Sequence, residues 1–81
     1  GDPITAAVAD IWAQELGIAE VGPGDDFFDL GGHSLLVMKV VTRTRSEIGT
    51  DVRVRALFEA PRLMDFVERV RSGISEGGAV R

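Results

Sequence analysis

A chain of 81 residues, 44% hydrophobic and 27% charged, has room for one small domain with a modest core. It has no cysteine, which excludes disulfides, thiolate metal sites and cysteine nucleophiles, and its single histidine, His33, leaves little for an imidazole metal site. A net charge of −4 argues against nonspecific nucleic-acid binding, and no apolar run approaches the ~20 residues needed to cross a bilayer. No apolar leader opens the chain, so a soluble, cytoplasmic monomer is expected. The charge is uneven. Residues 1–33 hold seven acids and no Lys or Arg, whereas 34–81 hold nine bases and six acids. Ordinary solvated faces would account for this, and so would a surface that orients partners by charge.

The first predicted element is a helix over 4–16, where Ile4, Val8, Ile11, Trp12 and Leu16 form one stripe. Asp2 or Thr5 can serve its start, Pro3 is tolerated in the first turn, and Gly17 is a stop signal. Residues 17–33 then make a long connection with a Gly-Pro-Gly turn at 22–24. Connections above ~12–15 residues are uncommon unless they are functional or packed by their own side chains. Here Ile18, Val21, Phe27, Phe28 and Leu30 can supply that packing, with one helical turn at 25–30. Asp26 is placed to orient the loop by accepting backbone N–H bonds.

A second helix is predicted over 34–48, ended by Gly49, with Leu36, Val37, Val40, Val41, Thr44 and Ile48 facing inward. Residues 52–55 alternate like a strand but have no partner, so a short helix over 54–59 is preferred, closed by Ala60-Pro61. A fourth helix spans 62–71 on Leu63, Phe66, Val67 and Val70. The fold class is therefore all-α: a small four-helix bundle, three long helices and one short, with a long loop between helices 1 and 2. The domain is expected to occupy residues 1–71, with 72–81 a mobile tail or linker. That tail and the initial Gly favour a domain excised from a longer chain.

Most enzyme patterns fail. There is neither a phosphate-binding G-x-x-x-x-G-K-[ST] nor a G-x-G-x-x-G. Gly32-His33-Ser34-Leu35-Leu36 lacks the second glycine and the preceding strand of a nucleophile elbow, and no second histidine could complete a triad. What remains is Ser34, at the boundary of the loop and the second helix. It could be a plain N-cap. Three features point further. Gly31-Gly32 would let a partner's backbone approach, and a helix start favours an attached phosphate. The third is an oily rim: at ~100° per residue, Leu35 lies about 180° and Met38 about 120° from the centre of the core stripe. Two large apolar side chains beside a polar focus suggest a docking surface, although Leu35 could also fold back under the loop.

The run Asp25-Asp26-Phe27-Phe28-Asp29-Leu30-Gly31-Gly32-His33-Ser34-Leu35 closely resembles the attachment motif of peptidyl carrier proteins, the thiolation domains of nonribosomal peptide synthetases. Every fixed position of D-x-F-F-x-L-G-G-[HD]-S-L is met, and Arg55 to Pro61 resembles the family's short third helix and following turn. The resemblance implies a non-catalytic carrier. Ser34 would bear a 4'-phosphopantetheine arm, donated from coenzyme A by a phosphopantetheinyl transferase. The arm's thiol would hold aminoacyl or peptidyl groups as thioesters. Gly32 and His33 would adjoin the arm, and His33 is either a ligand of its phosphate or a solvated neighbour. Leu35, Met38 and Leu57 would meet the partners: adenylation, condensation, and thioesterase or tailoring enzymes. Arg62 departs from the Thr or Ser that often stands there in the family, so the fourth helix is expected to start less firmly. Two other readings stay open: an acyl or aryl carrier of another thiotemplate pathway, and an unmodified helical adaptor.

Overall fold

The computed structural model describes residues 2–74. It contains α1 (Pro3–Leu16), α2 (Ser34–Ile48), α3 (Val54–Glu59) and α4 (Leu63–Ser72). Among the described residues the only β pairings are two isolated bridges, Asp26 with Arg62 and Thr50 with Ile74.

The helix limits have local causes. The Asp2 carboxylate accepts the Ile4 N–H at 3.2 Å and the Thr5 hydroxyl at 2.9 Å, while Pro3 needs no N–H partner in the first turn. Gly17 (φ +70°) and Gly49 (φ +82°) close α1 and α2 in the left-handed conformation that glycine adopts at no steric cost. The start of α4 is different. Arg62 gives no side-chain cap, but the Leu63 and Met64 N–H groups donate to the carbonyls of Asp25 (3.0 Å) and Pro23 (3.1 Å). The weak start expected at Arg62 is thus met by loop backbone, which satisfies two otherwise unpaired donors.

The core forms where α1, α2 and α4 converge and α3 closes one side. Trp12, Phe27, Phe66, Leu57 and Leu63 are its largest buried side chains. The Trp12 ring meets Phe27 edge-on at 5.0 Å and Phe66 at 5.9 Å, so one loop residue completes the aromatic centre. The one buried hydroxyl within α2, that of Thr44, donates to the Val40 carbonyl at 2.7 Å.

The uneven charge of the sequence is used across the bundle. Arg43 on α2 reaches Glu15 at 3.2 Å on α1 and Glu47 at 2.8 Å on its own helix, and Arg71 on α4 pairs with Asp2. Residues 72–74, placed in the tail by the sequence, are held against the bundle. Ser72 ends α4, the Asp51 N–H donates to the Gly73 carbonyl at 3.0 Å, and Thr50 pairs with Ile74 and donates its hydroxyl to Val70 at 2.8 Å. Residues 75–81 lie outside the described residues.

Candidate functional site

The segment before α2 is a folded loop. The Asp25 carboxylate accepts the Gly22 N–H at 2.7 Å, and that of Asp26 accepts the N–H groups of Phe28 (2.8 Å) and Asp29 (3.0 Å), the orienting role expected of it. One helical turn follows, with the Leu30 N–H donating to Asp26 at 3.1 Å and the Gly32 N–H to Phe27 at 2.9 Å. The Phe27 N–H donates to the Pro61 carbonyl at 2.8 Å, which fastens the loop to the α3–α4 turn. Phe27 is fully buried. Phe28, half-buried, meets Phe27 edge-on and stacks on Phe58 of α3 at 5.6 Å.

The two glycines have internal reasons. Gly31 sits at φ +105°, where a side chain would be strained. A Cβ on Gly32 would overlap the Phe27 ring and crowd its carbonyl oxygen. The sequence suggests Gly32 as an open approach beside the arm; its missing side chain is required first by the packing of Phe27 beneath it.

His33 is exposed and extended (φ −149°, ψ 175°) and acts as N-cap residue without a side-chain bond to the helix. Its carbonyl accepts the Val37 N–H at 2.9 Å. Ser34 is therefore the first residue of α2 rather than its cap. It is exposed, and among the described residues nothing hydrogen-bonds its hydroxyl. The N–H groups of the first turn receive no side-chain cap and stand at the positive end of a 15-residue helix. An exposed, uncommitted hydroxyl beside open amide donors fits a phosphate ester.

Leu35 and Met38 are 60% and 52% exposed, as the helix phase predicts, so Leu35 does not fold back under the loop. Leu57 is a correction: it is fully buried, on the inner face of α3 beside Ala56, and cannot meet a partner. Phe58, one residue on, is 48% exposed and borders the loop through Phe28. Six residues at ~100° each do not fix the phase of α3, so the sequence carries no signal that singles out Phe58. Among the described residues no group of three or more His, Asp or Glu side chains is placed to hold a metal.

The chain matches the phosphopantetheine attachment site family over residues 6–70. It is 53% identical over 58 residues to tyrocidine synthase 3 of Brevibacillus parabrevis, covering 72% of this chain and 1% of that protein's length. It is 46% identical over 66 residues to the phosphinothricin tripeptide synthetase PhsB of Streptomyces viridochromogenes, covering 82% of this chain and 6% of that one. The chain thus spans a small fraction of the curated relatives it matches. The structure resembles the solution structure of a prototype peptidyl carrier domain of modular peptide synthetases. The TM-score is 0.77 at 30% identity, over 88% of this chain and 93% of that one. It also resembles a peptidyl carrier protein in complex with coenzyme A and the phosphopantetheine transferase Sfp, with a TM-score of 0.83 at 28% identity, over 89% and 94%.

Proposed function

The chain belongs to the phosphopantetheine attachment site family, and on that premise we propose that Ser34 is its attachment point. The observation that carries this is the Ser34 hydroxyl itself: exposed, unbonded within the described residues, and first on a helix whose opening amides are free. The serine oxygen would hold the phosphate of a 4'-phosphopantetheine group derived from coenzyme A, and the first-turn N–H groups of α2 would face that anion. His33, exposed next to it, is available as a further donor. When bound, the group supplies a thiol that holds an acyl group as a thioester.

The protein's own contribution is presentation. The bonds from Asp25 and Asp26 and the anchored Phe27 hold the loop, so Ser34 is offered at a fixed place. Leu35 and Met38, with Phe58 in place of Leu57, form an apolar rim on which successive enzymes would dock. Those enzymes are a phosphopantetheinyl transferase, then the adenylation, condensation and thioesterase or tailoring domains of a nonribosomal peptide synthetase. The carried groups are aminoacyl or peptidyl. A cytoplasmic setting follows from dependence on coenzyme A. No helix among the described residues is long and apolar enough to cross a membrane. The unit reaches at least Ile74, whose pairing with Thr50 closes the bundle.

The test is an intact-mass spectrum after incubation with coenzyme A and a broad-specificity transferase. The wild-type chain is expected to gain one phosphopantetheine, and Ser34→Ala none while keeping its helical circular dichroism. Modification persisting in the alanine variant, or none in the wild type, overturns the assignment.

A further inference from the structure

We infer that the shallow groove between α1 and α2 is the resting place of the arm borne by Ser34, an inference that rests on the reading of Ser34 above. The groove has a volume of about 400 Å³ and is lined by Glu15, Met38, Lys39, Thr42 and Arg43. Met38 lies one helical turn beyond Ser34, and Thr42 one turn beyond Met38, so the groove starts beside the attachment point and leads away from it. At 1.5 Å per residue, Thr42 stands roughly 12 Å along the axis from Ser34, within reach of an extended phosphopantetheine arm. A second groove, of about 290 Å³, is lined by Asp51, Arg53, Arg55, Glu59 and Arg69 among others. None of its lining residues lies on α2, the helix that Ser34 begins.

The chemistry of the nearer groove suits the arm. The arm begins with a phosphate anion and continues through a geminal dimethyl group to two neutral amides. Lys39 enters no ion pair among the described residues, whereas Arg43 is engaged by Glu15 and Glu47. Lys39 is therefore the groove's free cation for the phosphate. Met38, half-exposed and apolar, suits the dimethyl group, and the exposed Thr42 offers a hydroxyl to an amide. The Glu15–Arg43 pair ties the two helices together at one wall and keeps it in place. A weak site suffices, because a ligand on a short tether acts at an effective concentration of ~mM order. Partner enzymes that dock on Met38 would lift the arm out, so resting and delivery exclude one another.

The chain has no cysteine, so a maleimide nitroxide will label the arm's thiol alone. In the labelled, ¹⁵N-enriched holo-protein, amide signals of Glu15, Thr42 and Arg43 should lose more intensity than those of Arg55 to Phe58 in α3. Lys39→Glu should abolish that asymmetry. Without the label, converting apo- to holo-protein should shift the Met38 and Thr42 amides as well as those around Ser34. Equal broadening on both sides of α2, stronger broadening on α3, or a groove that shifts only while transferase is present and not in the purified holo-protein each overturns the inference. A chain that gains no phosphopantetheine mass instead overturns the reading of Ser34, so the two failures are distinct.

Discussion

A methyl group at position 32 would have to share space with the Phe27 ring and its carbonyl oxygen, so the loop backbone or the aromatic centre around Trp12 must shift to admit it. Overpacking of this kind costs about 1–3 kcal/mol, so Gly32→Ala should lower the urea midpoint at an unchanged slope. It should also slow modification, because the loop that presents Ser34 is displaced. Ser34→Ala should do the reverse. Ser34 is not the cap of α2 and its hydroxyl is unbonded within the described residues, so stability should change by less than ~0.5 kcal/mol while modification is lost altogether. Denaturation and mass spectra on this pair separate the residue that shapes the site from the residue proposed to carry the group. A large stability loss in Ser34→Ala would show that the hydroxyl has a structural partner.

Within the helices the question is which face looks where. Leu57 is fully buried, and Leu57→Ala should cost about 2–5 kcal/mol. Met38→Ala should move stability by less than ~0.5 kcal/mol yet slow acyl loading by partner domains, since losing an apolar anchor at an interface can cost above ~1 kcal/mol. Midpoints and loading rates measured together decide it; a large midpoint drop for Met38→Ala with normal loading would place Met38 in the core. The limits of α2 and α3 are legible in the sequence because periodic Val and Leu positions end at Gly49 and before Ala60-Pro61. The phase of α2 is legible because fifteen residues repeat the stripe several times. The six residues of α3 span less than two turns, too few to establish a period, and so the sequence does not tell an outward Phe58 from an inward Leu57. The start of α4 is hidden for another reason: its cap comes from carbonyls some forty residues earlier. At the site, the motif points to Ser34 and Asp26 directly. The reason for Gly32 is out of sight, because it depends on where the Phe27 ring packs.

Taken whole, the proposed role of the molecule is to present a group and leave the chemistry to other domains. The sequence offers no nucleotide loop and no histidine besides His33 to act as base for a nucleophile. Holo-protein mixed with amino acid and ATP should therefore form no thioester until an activating domain is added, which a thioester-sensitive mass measurement would check; loading without that domain would contradict the carrier role. The bundle that does the presenting is tied end to end: Arg71 to Asp2, Thr50 to Ile74, and the loop to the turn before α4. That last tie bears on which changes the lineage can accept. Because main-chain oxygens of Pro23 and Asp25 hold Leu63 and Met64, the side chain at position 62 is released from the duty of Ser or Thr, and Arg can occupy it. The spacing from 23 to 27 has no such freedom. A single inserted residue there would slide both oxygens off their donors and pull Phe27 from Pro61, so the segment should tolerate drift in letters far better than drift in length.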